Sequence, residues 1–118
     1  MANDVKEEDI IQFIGVSDLS AAEQDTVQVL SREYHEKIKR QLQNITDISV
    51  HVKVYEKTGD RKKYSLHVKV SAPTALFAAD KADSWELPAA LHAAFQDIQN
   101  QITHRFHTDT TKPDRPRT

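Results

Sequence analysis

Residues 48–70 alternate between apolar and polar side chains in two runs that are joined by a basic turn. Successive side chains of a β-strand point to opposite faces, so each run predicts a strand with one apolar face. Both apolar sets can share a face only in a register that pairs residues whose numbers have an even sum. The runs therefore predict an antiparallel hairpin. Its apolar positions are Ile48, Val50, Val52, Val54, Tyr64, Leu66, Val68 and Val70.

The register of this hairpin depends on its loop, and a loop centred on Gly59 places His51 opposite His67. The same register places Lys53 opposite Ser65, whereas a slip by two residues places Lys53 opposite His67. In either register the odd-numbered residues form a second, polar face, which meets water or a partner. That face comprises Ser49, His51, Lys53, Tyr55, Ser65, His67, Lys69 and Ser71.

The remaining elements follow from shorter patterns on either side of the hairpin. Residues 10–16 are apolar and β-branched and predict a first strand, and residues 75–80 predict a short fourth strand. A capping box at Ser20 and Glu23 and an apolar stripe predict a helix over about residues 20–43. A second stripe predicts a helix that begins near Pro88. The sequence thus predicts an α+β fold of order β-α-β-β-β-α, with two helices packed on one face of a four-stranded mixed sheet.

The chain has 118 residues, which is enough for one domain. We expect that domain to span residues 10–107. Residues 1–9 are rich in acidic side chains and predict a flexible N-terminus. Residues 108–118 contain no apolar side chain and predict a disordered tail.

Charge is distributed unevenly along the chain. Residues 1–36 carry nine acidic and two basic side chains, whereas residues 37–72 carry nine basic and three acidic ones. Basic residues concentrated in one helix end and one hairpin are either solvated or face a polyanion. Tyr55 and Trp85 are candidates for stacking on nucleobases, although a tryptophan near a helix start is more typical of the core or of a hydrophobic staple.

Several functional classes lack their sequence signatures. The chain has no cysteine, no glycine-rich phosphate loop, no G-x-S-x-G and no H-E-x-x-H, so we expect no catalytic activity, no cofactor and no small-molecule substrate. The pairs His51/His67 and His104/His107 each offer two ligands where a stable zinc site needs three or four, so no metal site is expected. The N-terminus does not have the layout of a signal peptide, and no apolar run approaches the roughly 20 residues of a membrane span. We therefore expect a cytoplasmic protein that does not bind membranes.

Three segments of the sequence form a further pattern: REYHEKI at 32–38, the basic hairpin HVKVYEKTGDRKKYSLHVKVSAP at 51–73, and the alanine-rich helix ALHAAFQDIQNQI at 90–102. Together they resemble the ribosome hibernation promoting factor family, also known as ribosome-associated inhibitors or sigma-54 modulation proteins. The resemblance implies a non-catalytic protein that binds the small ribosomal subunit near the mRNA and tRNA channel and inhibits translation under stress. The chain resembles the short members of the family, which lack the C-terminal dimerisation module.

The resemblance also indicates which residues contact rRNA. The family's basic positions on the final helix fall near Asp97, Asn100, Thr103 and His104, so lysine and arginine are largely missing there. The first helix and the hairpin would have to supply more of the contact. The main alternative is a protein-interaction module of the same fold that does not bind ribosomes. The candidate RNA-binding residues are Arg32, Lys37, Lys39, Arg40, Lys53, Arg61, Lys62, Lys63, Lys69, His104 and Arg105.

Overall fold

The computed structural model describes residues 10–44, 46–59 and 61–111. Within these ranges the elements follow the order β-α-β-β-β-α, so the predicted element order and α+β class are confirmed. The predicted flexible segment 1–9 and residues 112–118 of the predicted tail lie outside the described residues. The strands are β1 (Ile11–Ile14), β2 (Asp47–Thr58), β3 (Arg61–Ala72) and β4 (Ala75–Ser84), and the helices are α1 (Ala21–Leu42) and α2 (Leu87–Thr111).

The four strands form one mixed sheet in the order β1-β2-β3-β4. The strands β1 and β2 are parallel because α1 crosses between them, and the other neighbouring pairs are antiparallel. His51 pairs with His67 and Lys53 pairs with Ser65. The predicted register centred on Gly59 is therefore confirmed, and the alternative with a slip of two residues is wrong.

The hydrophobic core lies between the sheet and the two helices. The even-numbered apolar residues of β2 and β3 are buried on this side, apart from Val54, which is half-buried. Between the helices, the rings of Tyr34 and Phe95 stack with centroids 4.8 Å apart. The odd-numbered residues of the hairpin lie on the face that no helix covers. We call this second surface the open face.

Strand β4 extends four residues beyond the predicted end at Asp80. Its register against β3 shifts, since Val68 pairs with Ala79 while Leu66 pairs with Ala82. The shift inserts one extra residue into β4, as in a β-bulge, and it reverses which parity faces the core. A polar stretch with an interrupted alternation gives no strand pattern in the sequence, which is why the prediction stops short.

Helix α1 begins and ends at well-defined caps. The Ser20 N–H donates to Glu23 Oε1 at 2.8 Å, and the Glu23 N–H donates to Ser20 Oγ at 3.1 Å. The predicted capping box is therefore confirmed. At the other end Gln43 adopts the left-handed conformation, with φ 52°. Lys39 and Arg40 lie in the last turn, where positive charge stabilises the helix dipole.

The turn from β1 into α1 requires glycine at position 15. Gly15 has φ +79°, which other residues rarely adopt. A Cβ atom there would lie 2.4 Å from the Val52 carbonyl oxygen, which is closer than real Cβ atoms come. Because glycine has no side chain, the backbone at the end of β1 can come this close to the backbone of β2.

We predict that Gly15→Ala destabilises the protein much more than Gly59→Ala, when both are measured by urea denaturation. Gly59 also has positive φ (+61°), but no atom lies within 4 Å of a Cβ built there. Gly59→Ala should therefore cost only the conformational penalty, about 1 kcal/mol. Gly15→Ala adds a backbone clash and should cost about 3 kcal/mol or more. Equal losses for the two variants would contradict the close approach of Gly15 to Val52.

Candidate nucleic-acid interface

The candidate basic residues lie on opposite faces of the molecule. Arg32, Lys37, Lys39 and Arg40 are exposed on α1, in the helical layer. Lys53 and Lys69 belong to the odd-numbered set on the open face, with the sheet between the two groups. One flat partner surface therefore cannot contact all of the residues predicted from the sequence.

The helix-side basic residues are Arg32, Lys37, Lys39 and Arg40 of α1 together with His104 of α2. They face outward because Val27, Tyr34 and Ile38 define the buried side of α1. The Lys37 ammonium lies 5.2 Å from the centroid of the Tyr34 ring, a cation–π contact. An open concavity of about 540 Å³ at the end of α1 is lined by Glu36, Lys39, Arg40, Gln43 and Asn44.

Only the C-terminal part of α2 lies next to the helix-side basic residues of α1. Gln41 Nε2 donates to the Gln99 carbonyl oxygen at 3.5 Å and to Thr103 Oγ1 at 3.3 Å, so the C-terminal parts of the two helices lie side by side. His104 follows these residues and is exposed. Arg105 lies on another flank of α2, with its guanidinium 5.8 Å from the centroid of the Phe77 ring.

The open face carries two histidines at its centre. The rings of His51 and His67 lie 5.9 Å apart between centroids, as their pairing predicts. They line an open concavity of about 350 Å³ that also borders Lys69 and Asp80. Within the described parts of the chain, no three or more histidine, aspartate or glutamate side chains cluster as metal ligands do.

The hairpin end of β3 does not present its three basic residues together. Because side chains alternate along a strand, Arg61 and Lys63 lie on the open face and Lys62 points to the helical side. The Arg61 guanidinium is 4.8 Å, and the Lys63 ammonium 5.8 Å, from the centroid of the Trp85 ring. Lys62 Nζ instead lies 3.5 Å from Glu23 Oε2. The sheet-side basic residues are Lys53, Arg61, Lys63 and Lys69.

Glu23 joins the hairpin to the start of α1. Its carboxylate accepts hydrogen bonds from the Ser20 N–H and the Tyr64 hydroxyl and pairs with Lys62. Burial acts to raise the pKa of Glu23, but the hydrogen bonds from Tyr64 and Ser20 and the charge of Lys62 outweigh it, so this pKa is lowered. Burial and the bond to Glu23 raise the pKa of Tyr64 to about 12. The sequence indicated Glu23 only as a capping residue.

Trp85 occupies a different environment from the core position that the sequence favoured. Its side chain is 36% exposed and lies against Arg61 and Lys63. The reason is the bulge in β4, which extends the strand to Ser84 and places Trp85 beside the end of β3. The spacing of aromatic residues alone gave no signal for this position.

The described helices include none that is long and apolar enough to cross a membrane. No protein-family model and no curated protein matches this sequence. The comparison that finds matches is one of three-dimensional structure, and it shows that this β-α-β-β-β-α fold is shared with solved structures.

Two of the solved structures that match illustrate the likeness. One is the N-terminal domain of Protein Y from Thermus thermophilus, with a TM-score of 0.55 and 17% sequence identity over 81% of this chain and 93% of that one. The other is a ribosomal subunit interface protein from Coxiella burnetii, with a TM-score of 0.58 and 18% identity over 83% of this chain and 98% of that one. The resemblance predicted from the three sequence segments is therefore confirmed as a likeness of fold.

We predict that Glu23→Gln lowers the free energy of unfolding at pH 7 by about 1 kcal/mol, because the carboxylate loses its charge-assisted hydrogen bonds. The pKa of Glu23 in the folded state lies below its ordinary 4.5, so its stabilising contribution is present above pH 4.5 and is lost as the pH falls through the folded value. Urea denaturation should therefore show a smaller difference from the native sequence at pH 3.

The matched control is Glu33→Gln, which removes an exposed carboxylate from the same helix. It should change stability by less than about 0.5 kcal/mol at either pH. A Glu23→Gln protein that is as stable as the native one at pH 7 would show that Glu23 does not join the hairpin to α1.

Proposed function

We propose that this protein is a ribosome-associated translation inhibitor that binds rRNA of the small subunit near the mRNA and tRNA channel. The observation that carries the proposal is that exposed basic side chains lie on both faces of a fold shared with a ribosomal subunit interface protein. It acts by occupying the channel, without catalysis, cofactor or small-molecule substrate, and in the cytoplasm.

The helix-side basic residues are suited to contacts with the RNA backbone. Arg32, Lys39 and Arg40 are exposed, and arginine can donate two hydrogen bonds to one phosphate. The carboxylates of Glu33 and Glu36 lie on the same exposed surface of α1. The positive potential is therefore moderate, and binding should depend steeply on salt.

The two-sided arrangement favours a cleft over a flat binding site. The sheet-side basic residues are separated from the helix-side ones by the whole thickness of the sheet and its helical layer. A site with RNA on two opposite walls would satisfy both groups, because each wall would meet its own set of cations. The channel between the head and body of the small subunit, where the resemblance places the family, is such a site.

The second helix contributes little to this proposed contact. By the resemblance, the family's basic positions on this helix fall near Asp97, Asn100 and Thr103, and all three are exposed. His104 is the exposed candidate that remains on this surface, while Arg105 packs over Phe77. Affinity for rRNA should therefore come mainly from α1 and the hairpin.

Lys62 has a different role from its neighbours in this proposal. Its ammonium is paired with Glu23 on the helical side, so its substitution would disturb the junction between hairpin and α1. Variants that test RNA contact should therefore change Arg61 and Lys63 and leave Lys62 intact.

We predict that the protein co-sediments with isolated small ribosomal subunits at low salt and is released between roughly 50 and 300 mM salt. Arg40→Glu, and separately the double variant Arg61→Glu/Lys63→Glu, should each weaken binding at least about tenfold. Each should also lower the slope of log affinity against log salt, by about one for each phosphate that the variant no longer neutralises.

Lys81→Glu is the matched control for Arg40→Glu, since it makes the same change of charge at an exposed position of β4. It should leave affinity and salt slope nearly unchanged. A protein that stays in the supernatant at every salt concentration would contradict the proposal and favour a protein-interaction module. Equal weakening by Lys81→Glu would show that net charge, and not the proposed surface, determines binding.

A further inference from the structure

One end of the open face combines exposed aromatic rings with positive charge. Tyr55 is 41% exposed and Trp85 is 36% exposed. We call Lys53, Tyr55, Arg61, Lys63 and Trp85 the tip cluster. Aromatic rings at the surface of a small domain lose the stabilisation that burial would give them. Their grouping with cations therefore indicates a binding site for a ligand with both aromatic and anionic groups.

The sheet register fixes the positions of the two aromatic rings. Tyr55 on β2 pairs with Lys63 on β3, and Trp85 lies on the other side of Lys63, directly after the pairing of Tyr64 with Ser84. The backbones of the two residues therefore flank one strand and stand about 10 Å apart, which is two strand spacings. The Tyr55 hydroxyl donates to Asp83 Oδ2 at 3.2 Å, which holds that ring across the sheet.

Positive charge is concentrated at the same end of the open face. Among the side chains that the structure describes, Lys53, Arg61 and Lys63 lie there together with the carboxylate of Asp83, which accepts the bond from Tyr55. The opposite end has the reverse balance, because Lys69 lies near two carboxylates. Those two belong to Asp47 and Asp80.

This combination differs from the helix-side surface, where cations are exposed without a comparable pair of rings. Cations alone bind a phosphate backbone, whereas exposed rings can also stack on bases that are not already stacked in a duplex. The cations of Arg61 and Lys63 lie over the Trp85 ring. A base stacked on the other face of that ring would therefore have its flanking phosphates close to both cations.

We propose that the tip cluster binds single-stranded RNA, with one nucleobase stacked on Trp85 and the adjacent phosphates bound by Arg61 and Lys63. Tyr55 and Lys53 extend the site along the strand toward a neighbouring nucleotide. The inference rests on the proposed function for its class of ligand, and it adds a second binding mode on the face opposite to α1.

The test uses Trp85 as its own reporter, because it is the single tryptophan of the chain. The full-length protein is titrated with an eight-nucleotide oligouridylate, an eight-nucleotide oligoadenylate and a duplex of the two. Stacking should quench the tryptophan fluorescence in a saturable way with the single strands, more weakly with the duplex, and less as salt rises.

Variants are then compared by the fluorescence anisotropy of a labelled oligoadenylate. Trp85→Leu should weaken binding about tenfold or more, since stacking of one base on a ring is worth that much. Trp85→Tyr, which keeps a ring, should recover part of the loss. Phe106→Leu removes a ring of similar exposure (40%) from α2 and should leave affinity unchanged. Circular dichroism of each variant confirms that the fold is retained.

Two outcomes would overturn the inference: the absence of saturable quenching by either single strand, or equal affinity of Trp85→Leu and the native protein. Failure of the stacking site can be distinguished from failure of the proposed ribosomal function. Loss of oligonucleotide binding with intact co-sedimentation rejects the stacking site alone. Oligonucleotide binding through Trp85 without any binding to ribosomal subunits rejects the ribosomal role and leaves the stacking site in place.

Discussion

The two-residue period of the β2–β3 hairpin is the constraint on which the rest of the structure depends. Even-numbered side chains of both strands must face the helices, because a shift by one residue would expose them all. The same rule sends His51, Lys53, His67 and Lys69 to the open face. Burial of the even-numbered face thus determines which residues form the open face. Polar side chains on the open face stay in contact with water, so they carry no desolvation penalty on folding. Residues there are free to vary with the partner, whereas the core residues are not.

The hairpin, its register and the capping box of α1 could be predicted because each depends on neighbours within a few residues or on one parity rule. The bulge in β4 could not be predicted, because the extra residue is seen only in how Val68 and Leu66 pair with residues of the next strand. Trp85 was misplaced for the same reason. The bond between Tyr64 and Glu23 joins residues 41 positions apart and leaves no mark in either local pattern.

The candidate site shows a different limit of sequence reasoning. The basic block in the chain does not form one basic surface, because adjacent residues on a strand point in opposite directions and α1 lies across the sheet from the open face. Charge counted along a sequence therefore overestimates the potential at any one place. What the sequence did contain was the residue types: the cations of α1 are exposed, as are Arg61 and Lys69 of β3. Lys63 is half-buried, and Lys62 pairs with Glu23.

Glu23 links the stability of the fold to the geometry of the open face. By binding Lys62 and the Tyr64 hydroxyl, it holds the even side of β3 against the start of α1. Because parity along a strand is fixed, holding Lys62 inward holds Arg61 and Lys63 outward, beside Trp85. In the proposed complex, the side chains that face the RNA are thus oriented by an acid that lies on the other side of β3. An extended hairpin end would otherwise lose conformational entropy on binding, and this attachment to α1 reduces that cost.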